Sequence, residues 1–374
     1  MESPASHVGR VWLTDFRCFD GLELALTPGV TVLHGANGQG KTSLLEAIGW
    51  VARARSFRGV ADALLVRSGA EQAVVRAEVV SGDRTQLFEA EIRVSGRNRI
   101  MTNKQVLTRA RDLHGLLRVT VFAPDDLALV KDGPAERRTY LDELLAMISA
   151  RYDAARGDYE KVLRQRNALL RGGMRDEHAR STLAVFDEQL VHAGAELLRG
   201  RLRLIERLVP SVDTAYRTLA PDHRAVTAEY VTDWAGDALD ATEEGALEAQ
   251  LRDGIARKTK AEIDRGVTLV GPHRDEWRLA IGGLEARTQA SQGEQRTLAL
   301  ALRLAGHGAV TDIVGAAPVL LLDDVFSELD ADRSHALVHN LPAGQTLVTT
   351  AGHVPDDIEP QQVLRVDHAK ITPA

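Results

Sequence analysis

Gly35-Ala36-Asn37-Gly38-Gln39-Gly40-Lys41-Thr42 fits G-x-x-x-x-G-K-[ST], the spacing of a phosphate-binding loop. The octet lies between an apolar run, Val30-Thr31-Val32-Leu33, and a segment with helical spacing, Leu44-Leu45-Glu46-Ala47-Ile48. A glycine-rich turn could match by chance, but strand, loop and helix in that order are the context the motif requires. Glycines let successive backbone N–H groups turn inward around phosphate oxygens, and the first turn of the helix adds a partial positive charge. Lys41 is then placed to reach the β- and γ-phosphates of a nucleotide, and Thr42 to offer its hydroxyl to Mg²⁺.

A second acidic feature stands far downstream. Val319-Leu320-Leu321-Leu322 runs into Asp323-Asp324, as expected of a strand buried on both faces whose carboxyl end carries function. Four apolar residues and an acid say little alone; beside a phosphate loop they read as a Walker B site. Asp323 would hold Mg²⁺, and Asp324 would orient or deprotonate the attacking water. Ser291-Gln292-Gly293-Glu294-Gln295 precedes the helix-forming run Thr297 to Leu302. Serine with glutamate three residues on is a capping box, which needs no ligand. The same geometry also presents a hydroxyl and free N–H groups to an approaching anion.

The 374 residues suffice for two domains, and 44 % hydrophobic with 26 % charged residues is ordinary for a globular protein. One cysteine, Cys18, excludes an intrachain disulfide and a cysteine zinc cluster; it reads as a packed small side chain. The first thirty residues hold no sustained apolar core behind basic residues. No stretch approaches the roughly 18 to 20 apolar residues of a membrane span. The expectation is a cytoplasmic protein without a membrane partner. A formal net charge of −7 gives nucleic acid no global attraction, so a DNA partner must rest on local patches.

Along the chain, Val8 to Phe19 and Leu22 to Leu33 read as strands feeding the loop, and Lys41 to about Arg55 as a helix. Ala73–Val80 and Gln86–Val94 alternate around Ser81-Gly82-Asp83, the pattern of a hairpin. From about Ala135 the pattern turns helical and rich in Arg and Glu, longest over Arg151–Arg171 and Ser181–Val209, with a strand-like break at Ala225–Val231. Such helices would project roughly 30 to 40 Å, with most charges on solvated faces. Gly344–Thr350 reads as a further strand. The division expected is 1–134 and 265–374 as two parts of one head, with 135–264 inserted as a helical arm.

Together these segments resemble the RecF family, ATPases of recombination and repair with ABC-class heads similar to those of SMC proteins. The resemblance rests on Phe16-Arg17, Pro28-Gly29-Val30, Gly35 to Leu45, Arg55-Ser56-Phe57-Arg58, Pro124-Asp125-Asp126-Leu127 to Lys131, Arg137-Arg138, Gly271-Pro272-His273-Arg274-Asp275, Ser291 to Ala305 and Leu321 to Asp330. It implies an α/β fold: an ABC-type P-loop ATPase head with a β-rich N-terminal lobe and an inserted helical arm. It implies ATP and Mg²⁺ as cofactors and an ATP-dependent homodimer. Ser291 and Gly293 would then contact the γ-phosphate held by Lys41 of a partner, with Asp330 near the shared interface.

The resemblance further implies binding of double-stranded DNA near single-stranded gaps and recombinase loading with RecR and RecO mediators. It also implies support of replication restart and the SOS response, and slow, DNA-stimulated ATP hydrolysis that acts as a switch. Candidate DNA contacts are Arg55, Arg58, Lys104 and Arg109. Two family features are missing: no glutamine fits the Q-loop, and His353 falls a few residues late for the switch histidine. Ala54, where family members tend to carry glycine, reads as a harmless local change. The rival reading is an ABC transporter ATPase subunit, which shares loop, signature and Asp pair but needs neither the arm nor the Gly-Pro-His-Arg-Asp stretch.

Overall fold

Val319–Asp323 and Thr346–Thr350 are buried at every position, the mark of strands covered on both faces. In the computed structural model they pair in parallel, Leu322 opposite Val348 and Asp323 opposite Thr349. The structure describes residues 6–107, 113, 117–173, 176–220, 224–236, 238–243, 245–352 and 357–374. In chain order, β1 (Ser6–Phe16), β2 (Phe19–Ala25) and β3 (Val30–His34) lead to α1 (Lys41–Arg53). Then come β4 (Gln72–Ser81), β5 (Arg84–Arg93), β6 (Arg99–Thr102), β7 (Gln105–Val106) and β8 (Val119–Phe122). The helices α2 (Ala128–Lys131), α3 (Pro134–Ile148), α4 (Ala150–Gly172) and α5 (Glu177–Leu219) are followed by β9 (Val226–Val231) and α6 (Ala246–Arg265). After β10 (Glu276–Ile281), β11 (Leu284–Glu285), α7 (Ala286–Gln289) and α8 (Gln292–Val314), the chain closes with β12 (Val319–Asp323), α9 (Ala331–His339), β13 (Thr346–Thr350), β14 (Gln362–Asp367) and β15 (Lys370–Pro373).

The chain forms two compact units. The first takes Met1–Leu127, Thr214–His223 and Arg296–Ala374. It holds a sheet of order β2-β1-β4-β5-β6-β7 and a mixed sheet of order β15-β14-β3-β13-β12-β8. In the mixed sheet β13 lies between β3 and β12 and runs parallel to both, so the loop after β3 and the acids ending β12 emerge at the same sheet edge. Between the sheets, α1 contributes Leu44, Leu45, Ile48 and Trp50 to a core with Leu13, Phe16, Phe88, Leu321 and Leu347. Trp50 is fully buried, and its Nε1–H donates to Asp62 Oδ1 at 2.9 Å, satisfying its one polar atom.

The second unit takes Ala128–Asp213 and Arg224–Gln295, with the sheet β11-β10-β9 among its helices. Its charges are not all on solvated faces, because Arg137, Arg166 and Arg201 are buried at 4 %, 0 % and 2 % exposure. Arg166 donates to Asp187, Thr268 and Glu262 at 2.7, 2.9 and 2.6 Å; Arg201 grips both oxygens of Asp142 at 2.8 Å. Arg166 and Arg201 are partnered by groups distant in sequence, a pairing that no local charge pattern reveals.

By length and composition α8 passes for a membrane span, with a window of mean hydropathy 1.2, which the sequence expectation did not foresee. It is a core helix. Leu298, Ala301, Leu302 and Val310 are buried, and Arg303 pairs with Asp126 at 2.5 Å.

Candidate functional site

The phosphate loop links His34 at the end of β3 to Lys41 at the start of α1. Gly40 is left-handed at φ 110°, and a Cβ there would lie 2.8 Å from Cys18 Sγ and 3.1 Å from the Phe19 ring; angle and space both demand glycine. A Cβ on Gly35 would strike the Val366 carbonyl. The loop is also tied to the β14–β15 hairpin: His368 N–H donates to Gln39 Oε1 at 2.5 Å and Ala369 N–H to the Gln39 carbonyl at 3.1 Å. Cys18, expected to be packed, is exposed because it sits in the turn between β1 and β2.

Lys41 Nζ folds back over the loop and donates to the carbonyls of Gly35 and Ala36 at 2.6 and 2.8 Å. Burial lowers its pKa, while Asp324 and Asp323 pull it upward. Thr42 Oγ1 donates to Asp323 Oδ1 at 2.8 Å, and Thr349 Oγ1 donates to the same oxygen at 2.8 Å. Thr349 Oγ1 in turn accepts from Asp324 N–H at 3.0 Å. Burial raises the Asp323 pKa, the hydroxyls of Thr349 and Thr42 lower it, Asp324 raises it and Arg58 lowers it. Asp324 adopts φ 52°, and its Oδ1 is buried with no hydrogen-bond partner among the described residues. A buried orphan oxygen beside a threonine-bound carboxylate fits the hard, oxygen-ligated environment that Mg²⁺ takes.

The structure thus brings Lys41, Thr42, Asp323 and Asp324 together, and adds two participants that motif spacing alone does not give. Thr349 is one; it is one of three buried threonines in β13. Arg58 is the other, close enough to Asp323 for its charge to act there although the side chain is exposed. The stretch carrying it is held by Ser56, whose Oγ donates to Glu46 at 2.5 Å and accepts from Arg58 N–H at 3.1 Å. Glu46, itself fully buried, takes a bidentate pair from Arg17 at 2.8 and 2.9 Å.

Ser291 and Gly293 belong to the second unit. Ser291 Oγ accepts from Glu294 N–H at 3.3 Å and Ser291 N–H donates to the Glu294 carboxylate at 2.6 Å, a complete capping box; Glu294 also pairs with Arg224. Asp330 caps α9 by accepting from Arg333 N–H at 2.9 Å. Arg55 is exposed, as is Lys104 in the β6–β7 turn at φ 67°. Arg109 and His353 lie outside the described residues.

The model of the RecF/RecN/SMC N terminal domain matches residues 7–354. The DNA replication and repair protein RecF of Streptomyces avermitilis is 46 % identical over 358 residues, covering 94 % of this chain and 95 % of that one. The RecF protein of Frankia alni is 48 % identical over 357 residues, covering 92 % and 93 %. The chain belongs to the RecF family. A solved structure of the recombination mediator protein RecF-ATPrS in the RecFOR pathway superposes at TM-score 0.90 with 29 % identity, over 100 % of both chains. RecF-ATP of the same pathway gives 0.91 with 28 % identity, over 100 % and 98 %. An Smc head domain with an extended coiled coil derived from Pyrococcus furiosus gives 0.57 at 14 % identity, over 99 % and 96 %, which extends the fold alone. The ABC-type head implied by the sequence is the fold that this RecF-family chain has.

Proposed function

We propose that this RecF-family chain is an ATP-driven switch of recombinational repair. On this reading it closes into a homodimer on ATP, engages double-stranded DNA beside single-stranded gaps and assists recombinase loading with RecR and RecO mediators. Hydrolysis then releases it, in support of replication restart and the SOS response. The observation that carries the nucleotide half is the convergence of Thr42 and Thr349 on one oxygen of Asp323, beside the orphan Oδ1 of Asp324. The solved relatives named RecF-ATP and RecF-ATPrS support it from outside.

The residues divide the work. Lys41 Nζ would reach the β- and γ-phosphate oxygens, and loop N–H groups from Gly38 to Thr42 would take further phosphate oxygens. Thr42 and Asp323 would hold Mg²⁺, which neutralises phosphate charge when bound. Asp324, held one residue past the strand by its Thr349 contact, receives the proton of the attacking water or fixes its direction. Ser291 and Gly293 of a second protomer would complete the γ-phosphate shell, and the capping box is compatible with that role because it consumes the serine hydroxyl as acceptor only. Such a device uses nucleotide to shift a population between open and closed dimers and not for metabolic turnover.

The DNA half rests on family membership and on exposed Arg55 and Lys104; Arg58 acts on Asp323, so its substitution reads both functions. Duplex DNA is expected to raise ATP turnover. With ~4 to 6 phosphates neutralised by the dimer, log affinity should fall against log salt with a slope of roughly −4 to −5. ATPase assays with and without duplex, together with binding of the Arg55→Ala, Lys104→Ala double variant across salt, check this. No stimulation by DNA would contradict the DNA half of this reading, and an unchanged salt slope would move the DNA surface elsewhere.

A further inference from the structure

We propose that His335, His339 and Asp357 form a binding site for one divalent transition-metal ion of the imidazole-preferring class, Zn²⁺, Ni²⁺ or Cu²⁺. The two histidines stand four residues apart on α9, a spacing that places them on one face of the helix. Their ring centroids are 4.0 Å apart. His339 Nδ1 lies 3.0 Å from the His335 carbonyl, and since a carbonyl only accepts, that nitrogen carries the proton. His335 Nδ1 lies 2.5 Å from Asp357 Oδ2, where the carboxylate likewise takes the N–H. Both Nε2 lone pairs are thereby freed for a ligand. An imidazole that donates Nδ1–H to a carboxylate or backbone carbonyl while offering its other nitrogen is the outer-shell pattern that orients metal-binding histidines.

The two Nε2 atoms would take the ion, and Asp357, which accepts the His335 Nδ1–H, orients that ring from the outer shell; one nitrogen or oxygen of each of the three residues lies within 4.8 Å of the others. Imidazole nitrogens select Zn²⁺, Cu²⁺ and Ni²⁺ over Mg²⁺ and Ca²⁺, which take oxygen. The site is therefore chemically distinct from that of Asp323 and Thr42. All three residues are exposed, so an ion can enter without unfolding and water can fill the remaining positions. Occupancy would staple the last turn of α9 to the segment carrying Asp357, on the helix whose first residue follows Asp330.

Calorimetric titration of the tag-free full chain with ZnCl₂ and with NiCl₂, without chelator or nucleotide, tests the assignment. The expected result is one ion per chain for the native protein. His335→Ala and His339→Ala should each weaken binding at least about tenfold, and Asp357→Asn by about ten- to a hundredfold, since removing an orienting partner costs affinity on that scale. Far-UV circular dichroism checks that these surface variants remain folded. Cys18→Ser, which removes the one thiol, should leave the titration unchanged. Unaltered stoichiometry and affinity in the His335→Ala, His339→Ala double variant would overturn the proposal, as would loss of the ion in Cys18→Ser.

Discussion

Lys41 Nζ donates to the carbonyls of Gly35 and Ala36, inside the loop proposed to hold phosphate. Lys41→Ala should abolish both ATP binding and hydrolysis. Asp324→Asn keeps the shape and removes the base, so ATP binding should survive while turnover falls by ~10²-fold or more, read from single-turnover rates; native-rate hydrolysis would take that role from Asp324. The harmless reading of Ala54 needs correction at this scale. Ala54 closes α1 in the left-handed region at φ 53°, ψ 31°, where an alanine Cβ is crowded and glycine is not. Ala54→Gly should therefore gain about 1 kcal/mol, near 2 °C in midpoint for a unit of this size, in thermal denaturation. Lys41, Thr42 and Asp323 were legible because their motifs fix residue type and spacing together. Thr349 was not, because only the register of β13 against β12 brings it to Asp323. The proximity of Arg58 to Asp323 was likewise not legible, because linear sequence shows the charge and not its neighbour.

Elements were legible where periodicity is strict. The hairpin around Gly82 and the strand ending at Asp323 follow from alternation and an unbroken apolar run, as observed in β4, β5 and β12. The helix expected to end at Val209 instead continues as α5 to Leu219 with Pro210 inside it. A mid-helix proline costs ~3 kcal/mol, and Leu208, Val212 and Tyr216, all buried, offset that by packing, which local sequence does not display. On α8, burial of His307 pushes its pKa down to about 4, with Nδ1 3.2 Å from Thr120 Oγ1 and no partner for Nε2 among the described residues. Its folded pKa lies below the ordinary value near 6.5, so its contribution is complete above that pH. It is lost as pH falls from about 6.5 to about 4, on the order of 3 kcal/mol. Urea denaturation from pH 7.5 to 4.5 should show this loss in the native chain and a flatter profile in His307→Gln. Identical profiles would mean that His307 is not buried in its neutral form. In the second unit His273 is likewise lowered to about 4 by burial, while Asp275 is raised to about 6 and works in the opposite sense.

At the scale of the whole molecule, the sequence predicts 135–264 as an arm inserted between two parts of one head. The packing gathers Arg224–Gln295 into the second unit, where Asp275 accepts from Trp234 Nε1 at 2.7 Å and Tyr230 OH at 2.9 Å. Gly271 to Asp275 is thus part of a buried polar network that sequence pattern presented only as a family stretch. The formal charge of −7 opposes strong DNA affinity in a lone protomer, so on the proposed reading DNA binding is expected to depend on an ATP-driven dimer that doubles a modest patch. The central claim is therefore that two chains share the nucleotide, with Lys41 from one and Ser291 from the other. Sedimentation velocity of the native chain, Lys41→Ala and Ser291→Arg, each with and without ATP and Mg²⁺, tests it most directly. The account predicts an ATP-dependent dimer for the native chain alone, with Ser291→Arg still binding ATP as a monomer. A native chain that stays monomeric with ATP, or a Ser291→Arg chain that dimerises normally, would contradict it.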